Sequence, residues 1–328
     1  MHATSFKKRV AVLRGGPSSE YDVSLKSGAG VIHAIAHSNY VAKDITISKS
    51  GQWLVDGFVK TPEQALLGID VVFIALHGSY GEDGTVQRIL ERLHVPYTGS
   101  GPFASAIAMN KSSTKEYIKK NSDKVIMAPH LKVTRDGAHN LPQLAYSIQK
   151  MFGPEYVVKP NDGGSSIGTK IVSVHELLAT LEESLTEHES IIVEKRIRGR
   201  EATVGILEGF RNQSFYQLPE IEIVPPAHSN FFSADVKYSG ETNEICPGRF
   251  KIDQKDTLLE HALLVHKILG LRQYSRSDFI VTEDAVYFLE VNTLPGLTME
   301  SLFPKAIEAV GGSYKELVLH LLDTASVY

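Results

Sequence analysis

The chain has 328 residues, of which 42% are hydrophobic and 22% charged, an ordinary composition for a globular protein. Its net charge of -4 provides no basic field for nucleic acid, and a single cysteine, Cys246, excludes an intramolecular disulfide and suits a reducing compartment. The longest clearly apolar run, 71–76, is far shorter than the roughly 20 residues of a membrane span, and no apolar stretch follows the slightly basic N-terminus. The sequence therefore predicts a cytoplasmic protein of two or three domains, with no membrane or nucleic-acid partner.

Short β-branched runs alternate with helix-like stretches through the N-terminal part of the chain. The order strand, helix, strand, helix predicts a parallel sheet covered by helices. The predicted strands of this N-terminal sheet are 9–14 and 70–76, and its predicted helices, the first preceded by a loop, lie within 18–36 and 85–93. Further along the chain, a charged helix is predicted at 112–120, and two further strands at 155–159 and 190–197 with a helix at 174–187 between them.

From residue 201 onward the pattern changes to longer alternating runs, which predict hairpins, and the chain closes with a predicted amphipathic helix at 313–322. Residues 225–250 hold few apolar pairs and many Ser, Gly and Asn. We expect a long, mobile loop there, and loops of that length are usually functional.

Residues 275–295 contain two apolar runs around residues 283–285, a pattern that predicts a β-hairpin. If those three residues make the loop, Asp278 lies opposite Glu290 and both side chains share one face, since side chains alternate along a strand. A two-residue turn would put the two carboxylates on opposite faces. The other face would hold Phe279, Val281, Tyr287, Leu289 and Val291.

Two opposed carboxylates, with Cβ atoms roughly 4.5–5.5 Å apart, repel each other unless a cation lies between them. In the same register Arg276 lies opposite Asn292, which adds an amide oxygen to that face. Carboxylate and amide oxygens suit Mg²⁺ bound together with substrate phosphates. The alternative is a solvated polar face with an Arg276–Asp278 ion pair.

A loop of small residues follows the strand that delivers Lys159, in the sequence EYVVKPNDGGSSIGT (155–169). Its backbone N–H groups and the lysine could surround phosphate oxygens, or the loop could be an ordinary surface turn. Residues 163–170 are not a P-loop, because Thr–Lys follows the second glycine where Lys–Ser/Thr is required. The GxGxxA string at 99–104 is interrupted by Pro102, and we interpret it as a tight turn before a helix.

Eight segments in order resemble the D-alanine–D-alanine ligases of the ATP-grasp superfamily, along almost the whole chain. They are VAVLRGGPSSEYDVSLKSG (10–28), ALHGSYGEDGTVQ (75–87), PYTGSG (96–101), ASAIAMNKSSTK (104–115), VVKPNDGGSSIG (157–168), VEKRIRGREATVGIL (193–207), KYSGETNEICP (237–247) and RSDF…LEVNTLPGLTMESLFP (276–304).

The resemblance implies an α/β (α+β) fold of three domains. Residues 1–100 would form a Rossmann-like parallel-sheet domain with the first D-alanine site, and 101–194 a central ATP-grasp subdomain. Residues 195–328 would form a C-terminal ATP-grasp subdomain with the metal site and the mobile loop at about 225–250. A homodimer is also implied.

The implied reaction begins when the carboxylate of one D-alanine attacks the γ-phosphate of ATP and forms an acyl phosphate. The amine of a second D-alanine then displaces phosphate through a tetrahedral intermediate. ATP is the co-substrate, two Mg²⁺ or Mn²⁺ ions would neutralise phosphate charge, and the product would serve peptidoglycan synthesis.

The resemblance also implies an ATP site in which Lys111 and Lys159 contact the phosphates. Glu194 would bind the adenine and ribose side, unless it is a surface acid at a strand end. The implied ATP-binding residues are Lys111, Lys159, Ser165, Ser166, Glu194, Lys195, Glu201 and Lys237, and the implied metal ligands are Asp278, Glu290 and Asn292.

For the first D-alanine, the resemblance implies that Glu20 pairs with the ammonium group and that Ser165 and Tyr238 hydrogen-bond Glu20. His77 follows a predicted strand and would have an orienting or proton-handling role, or a structural hydrogen bond there. Lys237 and Tyr238 lie on the predicted loop, which would close over ATP and exclude water from the acyl phosphate.

For the second half of the reaction, Arg276 and the backbone N–H of Gly296 would stabilise the tetrahedral oxyanion. Ser301 and the Leu302 backbone would bind the carboxylate of the second D-alanine. Three alternatives stay open: a sibling ligase making D-alanyl-D-lactate or D-alanyl-D-serine, another ATP-grasp carboxylate–amine ligase, and a nucleotide-binding protein without catalysis. Tyr238 disfavours the lactate version.

Overall fold

The structure is a computed structural model that describes residues 7–163, 167–226 and 242–327. The N-terminal strands are β1 (Lys8–Gly15), β2 (Tyr40–Ile47), β3 (Trp53–Val55), β4 (Phe58–Lys60) and β5 (Val71–Ile74), and the helices are α1 (Tyr21–Ile35), α2 (Pro62–Ala65) and α3 (Thr85–Arg92). The strands form a five-stranded sheet in the order β4–β3–β2–β1–β5. The predicted parallel pairing is confirmed for β1 with β2 and β5, whereas β3 and β4 extend the sheet in antiparallel pairing, so the whole sheet is mixed.

The central strands of this sheet are buried on both faces. Residues 10–13 of β1 and all of β5 are buried and apolar, as is typical of parallel strands covered by helices. Since these strands are parallel, their carboxyl ends lie at one edge of the sheet. The loops that leave this edge carry Glu20 and His77, so the sheet places both residues on the same side of the domain.

A second, antiparallel sheet follows in the middle of the chain. The helices here are α4 (Pro102–Met109), α5 (Lys111–Asn121), α6 (Leu141–Phe152) and α7 (Leu177–Glu187), and the strands are β6 (Ile126–Met127), β7 (His130–Thr134), β8 (Glu155–Pro160), β9 (Lys170–Ser173) and β10 (Ser190–Lys195). Four of the strands pair in the order β7–β10–β8–β9. The sequence predicted β8, β10, α5 and α7, but not β7, β9 and α6.

The C-terminal part forms a third sheet of seven strands that also includes β6. Its elements are β11 (Arg200–Glu208), a 3₁₀ turn (Phe210–Asn212), β12 (Phe215–Gln217), β13 (Ile221–Val224), β14 (Asn243–Ile245), α8 (Ile252–Ile268), β15 (Tyr274–Val281), β16 (Val286–Asn292), α9 (Leu302–Ala309) and α10 (Tyr314–Asp323). The strand order is β14–β13–β11–β15–β16–β6, with β12 beside β11. The predicted C-terminal helix is confirmed and begins after the capping residue Ser313.

Helix α8 corrects the prediction of hairpins after residue 201. Its buried residues Leu258, Ala262 and Val265 recur at helical spacing and pack in one core with residues of β11 and β15. This spacing is the signal that an interpretation as alternating strands missed. Helix α8 has 17 residues, and no helix within the described ranges is both long and apolar enough to cross a membrane.

The predicted loop at 225–250 falls mostly outside the described residues, which stop at 226 and resume at 242. At its C-terminal end, Asn243–Ile245 forms β14 and pairs with β13. This part of the segment is therefore strand, and the prediction of a continuous loop is wrong there.

The hairpin β15–β16 has the predicted residue pairs but a different turn. The Thr282 N–H donates to the Ala285 carbonyl at 2.9 Å, so the loop is the two residues Glu283 and Asp284 rather than the predicted three. The register then shifts by one residue between Asp278 and Phe279, which leaves Leu289 as a β-bulge. Because of the bulge, Asp278 still lies opposite Glu290.

The bulge also changes which residues of β16 face the core. Between turn and bulge, Val286 and Phe288 are buried, whereas Tyr287 and Leu289 are half-buried, so the prediction that the latter two face the core is wrong. Beyond the bulge the alternation recovers, and Val291 is buried as predicted. Because of this one extra residue, the hairpin has a two-residue turn and still presents Asp278 and Glu290 on the same face.

Replacing Phe288 by alanine is expected to destabilise the protein by about 3–5 kcal/mol, because its fully buried ring packs edge-to-face on Phe279. Tyr287→Ala is the matched control on the opposite face and should lower the melting temperature less. Thermal unfolding followed by circular dichroism measures both. A larger loss for Tyr287→Ala would contradict the bulged register.

Candidate active site

A pocket with about 310 Å³ of open space lies where hairpin β15–β16 meets the start of α5 and the loop after β8. Residues from the N-terminal, central and C-terminal parts of the chain line it. Its polar lining residues are Glu82, Lys111, Glu290, Asn292 and Thr293. Lys111, predicted on the phosphates, and Glu290 and Asn292, predicted as metal ligands, therefore line the same pocket, whereas Lys159 and Asp278 are not among its lining residues.

The hairpin polar face consists of Arg276, Asp278, Glu290 and Asn292. The Arg276 guanidinium donates two hydrogen bonds of 3.0 Å to the Asp278 carboxylate, so the expected alternative, an ion pair on this face, is present. Asp278 also accepts from Asn292 Nδ2 at 3.1 Å and from the Thr203 hydroxyl at 2.5 Å. These bonds hold the face rigid before any ligand binds.

The charge of Arg276 is secured by its surroundings. Burial works against the cation, but the carboxylates of Asp278, Glu290 and Glu82 outweigh this effect, and the pKa of Arg276 is raised. A buried guanidinium that keeps its charge can stabilise an anion that develops beside it.

The donor set of this face fits a divalent cation. Two carboxylates and the amide oxygen of Asn292 are hard oxygen ligands, and pocket space lies beside Glu290 and Asn292. In the described part of the chain, no group of three or more His, Cys, Asp or Glu side chains could hold a metal by itself. An ion here would need further oxygens, and Mg²⁺ commonly takes these from water and substrate phosphates.

Facing the hairpin is the buried lysine cluster, defined here as Lys111, Lys115, Lys159 and the carboxylate of Glu194. Glu194 pairs with Lys115 Nζ at 2.9 Å and with Lys159 Nζ at 3.0 Å. Lys111 Nζ lies 3.6 Å from Glu290 and joins the cluster to the hairpin polar face.

Glu194 is only 2% exposed, yet it remains ionised. Burial by itself would raise the pKa of this carboxyl group, but Lys115 and Lys159 outweigh burial and lower the pKa to about 2. Glu194 is expected at the adenine and ribose side from sequence; in the structure its two oxygens are paired with lysines, and it is not a surface acid.

Lys115 is a site residue that the sequence analysis missed. It is 0% exposed and lies one turn after Lys111 on α5, so the two side chains share a helix face. The i, i+4 spacing of two lysines was the available signal, but on a charged helix such spacing usually marks a solvated face. The structure shows that this face is buried rather than solvated, because Lys115 Nζ lies 3.4 Å from the Phe288 carbonyl oxygen of β16.

A hydrogen bond joins the loop after β8 to helix α5. Strand β8 delivers Lys159 as predicted, and Lys111 Nζ donates to the Gly163 carbonyl at 2.6 Å. Lys195 is exposed at the end of β10, and Glu201 is half-buried near the start of β11. The predicted site residues Ser165, Ser166, Lys237 and Tyr238 lie outside the described residues.

At the other end of the site, His77 makes two side-chain contacts. Its Nε2 lies 2.8 Å from the Ser27 hydroxyl, and its Nδ1 lies 3.0 Å from the Leu294 carbonyl oxygen. Glu20 is half-buried before α1, with its carboxylate beside Gly78. The structural hydrogen bond that was one alternative for His77 is therefore present.

The predicted second-carboxylate residues lie at the start of α9. Ser301 Oγ accepts a hydrogen bond from the Thr298 N–H at 3.0 Å, and the two hydroxyls are 2.8 Å apart. A Cβ atom on Gly296 would come within 2.9 Å of Ser301 Oγ, so a glycine allows this close approach. Leu302 is the first residue of α9, where unpaired backbone N–H groups favour a carboxylate.

Two family models match the chain. The model described as D-ala D-ala ligase N-terminus matches residues 9–64 and 57–100, and the model described as D-ala D-ala ligase C-terminus matches residues 121–323. Together they include Glu20 and His77, at the edge of the N-terminal sheet, and most of the residues that line the pocket.

Curated relatives and solved structures agree with these matches. The chain is 40% identical to a D-alanine–D-alanine ligase of Syntrophotalea carbinolica, covering 98% of this chain and 97% of the relative. It is similar to the D-alanine–D-alanine ligase of Bacillus anthracis solved in complex with ATP, at 32% identity and a TM-score of 0.78, covering 97% of each chain. It is also similar to the VanG D-Ala:D-Ser ligase of Enterococcus faecalis, at 26% identity and a TM-score of 0.81, covering 97% of this chain and 99% of that one. Because the matches span nearly the whole sequence and both family models, this chain belongs to the D-alanine–D-alanine ligase family and has its α/β ATP-grasp fold.

Proposed function

We propose that this protein is an ATP-dependent, ADP-forming ligase that joins two D-alanine molecules into D-alanyl-D-alanine for peptidoglycan synthesis. Family membership over nearly the whole chain supports this activity. The structural observation that carries it is the hairpin polar face, which lies across one pocket from the buried lysine cluster. This arrangement suits transfer of a phosphoryl group to a carboxylate.

The ATP phosphates would lie between these two groups of residues. Lys111 and Lys159 would hold the phosphate oxygens, and Asp278, Glu290 and Asn292 would hold two Mg²⁺ ions. When bound, these ions would offset the phosphate charge and orient the γ-phosphate. The three lysines and two carboxylates at this place leave one formal positive charge, which favours an anionic ligand.

The first D-alanine would bind by its ammonium group to Glu20, which leaves its carboxylate free to attack the γ-phosphate. The second D-alanine would bind by its carboxylate to Ser301 and the backbone of Leu302, and its amine would attack the acyl phosphate. The oxyanion that forms would be stabilised by Arg276 and the N–H of Gly296. In this proposal Lys111, Glu20, Arg276 and Ser301 are held by the fold, and the loop that carries Lys237 and Tyr238 would complete the site by closing over ATP.

Several parts of the proposal rest on the family resemblance of the sequence. These are ATP contacts by Ser165, Ser166 and Lys237, hydrogen bonds from Ser165 and Tyr238 to Glu20, and closure over ATP of the loop that carries Lys237 and Tyr238. Nucleotide contacts by Lys195, Glu201 and Glu194 have the same basis. The same basis supports domains at 1–100, 101–194 and 195–328, a cytoplasmic homodimer, and an orienting role for His77.

A second candidate is a D-alanyl-D-serine ligase, favoured by the likeness to the VanG enzyme. The higher identity to relatives named D-alanine–D-alanine ligase, 40% against 26%, favours D-alanine as the acceptor. The two products differ only by a hydroxyl group on the second residue, so the choice depends on the acceptor end of the pocket.

Purified protein with ATP, Mg²⁺ and D-alanine is expected to release phosphate and form D-alanyl-D-alanine in equal amounts. Product analysis by mass spectrometry, with D-alanine, D-serine and D-lactate in competition, identifies the acceptor. Predominant D-alanyl-D-serine would favour the second candidate. No D-alanine-dependent phosphate release would contradict the proposal.

Glu290→Gln is expected to lower kcat by about 100-fold or more, because it removes one negative charge from the proposed metal site. Glu283→Gln, at the exposed tip of the same hairpin, is the matched control and should keep wild-type turnover. Melting temperatures check that both variants fold. Near-normal turnover in a folded Glu290→Gln protein would show that the metal assignment is wrong.

Lys115→Met is expected to raise the KM for ATP about tenfold, a loss of about 1.4 kcal/mol. Without Lys115, the buried Glu194 carboxylate depends on Lys159 alone and holds that lysine away from the phosphates. Lys119→Met, exposed on the same helix, is the control. Initial rates at varied ATP measure the effect, and an unchanged KM in Lys115→Met would contradict this role for the cluster.

A further inference from the structure

Glu82 is a buried carboxylate at the N-terminal edge of the pocket that has no role in the mechanism above. It is 6% exposed, and its two oxygens accept hydrogen bonds from different parts of the chain. Oε2 accepts from the Gly78 N–H at 2.9 Å, within its own loop, and Oε1 accepts from the Leu294 N–H at 2.8 Å, just after β16.

Leu294 is held on its other side by the same N-terminal loop. Its carbonyl oxygen lies 3.0 Å from His77 Nδ1. Since a carbonyl can only accept, Nδ1 carries the proton, and in the neutral ring Nε2 accepts from the Ser27 hydroxyl at 2.8 Å. His77 and Glu82 therefore hydrogen-bond both the carbonyl and the N–H group of Leu294.

Leu294 lies in the sequence between two residues of the proposed active site. Leu294 is two residues after Asn292, a proposed metal ligand, and two residues before Gly296, whose N–H is a proposed oxyanion donor. Its side chain is 2% exposed and packs in the core of the N-terminal sheet. The segment 294–296 is thus fastened to the part of the fold that carries Glu20.

A carboxylate is a costly group for a purely structural link. Burial, followed by the charge of Glu20, raises the pKa of Glu82 to about 7, although the N–H groups of Gly78 and Leu294 and the Arg276 charge act in the opposite direction. A carboxyl group offers an acceptor oxygen to each N–H at once, whereas an amide of the same shape turns an NH₂ group toward one of them.

We propose that Glu82 is a positioning residue that fixes segment 294–296 relative to Glu20, so that the Gly296 N–H faces the carbonyl of the acyl phosphate. The inference rests on the function proposed above. It separates the two half-reactions: phosphate transfer depends on the lysine cluster and the hairpin polar face, whereas amine attack depends on the placing of Gly296. Loss of Glu82 should therefore harm the second half-reaction most.

The expected signature is uncoupling. If segment 294–296 shifts by about 1 Å while Asn292 stays in β16, amine attack slows by about 100-fold, because this scale of misplacement costs that much in rate. The acyl phosphate then persists and is hydrolysed by water, so phosphate is released without dipeptide. A role confined to general stability would lower both products together and would leave their ratio unchanged.

The test compares Glu82→Gln with Asp83→Asn. Asp83 is the neighbouring carboxylate and also accepts from two backbone N–H groups, those of Tyr80 and Thr85, but both lie in its own loop. Phosphate and D-alanyl-D-alanine are measured in the same reactions at varied ATP and D-alanine. Glu82→Asp, which keeps the charge but is too short to reach both N–H groups, is the second variant in case Glu82→Gln does not fold.

We expect Glu82→Gln and Glu82→Asp to release several phosphates per dipeptide, with the KM for ATP unchanged, while Asp83→Asn keeps the wild-type ratio. A wild-type ratio in folded Glu82 variants, or equal uncoupling in Asp83→Asn, would overturn the inference. Wild-type protein that forms no dipeptide would overturn the proposed function itself, and the inference with it.

Discussion

The site depends on one constraint, the register of hairpin β15–β16. With a two-residue turn and no irregularity, Asp278 and Glu290 would lie on opposite faces of the sheet. The bulge at Leu289 shifts β16 by one residue, so the same hairpin buries Phe279 and Phe288 on one side and presents its polar residues on the other. The bulge, rather than the aromatic pair, therefore determines that Glu290 lies on the same face as Asp278.

The site also contains buried charged side chains, which are costly to bury. Removing an ammonium and a carboxylate from water costs several kcal/mol per ion, and a mutual ion pair only partly offsets this. The Glu194 carboxylate between Lys115 and Lys159 is difficult to explain by stability alone. A cluster with excess positive formal charge, open to a pocket at Lys111, is instead typical of a site for a polyanionic ligand.

The parts of the site are joined by hydrogen bonds to backbone groups as well as by side-chain packing. Lys111 binds the Gly163 carbonyl in the loop after β8, and Glu82 and His77 bind the backbone of Leu294 just after β16. Each link crosses between segments that are far apart in sequence. In the part of the site that the structure describes, the geometry is therefore set by the fold itself, which is the main advantage of preorganisation.

Local pattern in the sequence was sufficient for the parallel strands β1 and β5, for most of the helices near them, and for the existence of hairpin β15–β16, since strand alternation and apolar periodicity are properties of neighbouring residues. The pairing of Asp278 with Glu290 was predicted from a three-residue loop and holds only because the bulge compensates for the two-residue turn. The chain order of the motifs was also sufficient to indicate the family. The bulge at Leu289, the long helix α8, and the burial of Lys115 and Glu82 were decided only by tertiary structure. Each depends on which surface covers a residue, and a polar side chain on a helix or loop has the same local sequence whether water or another segment lies against it.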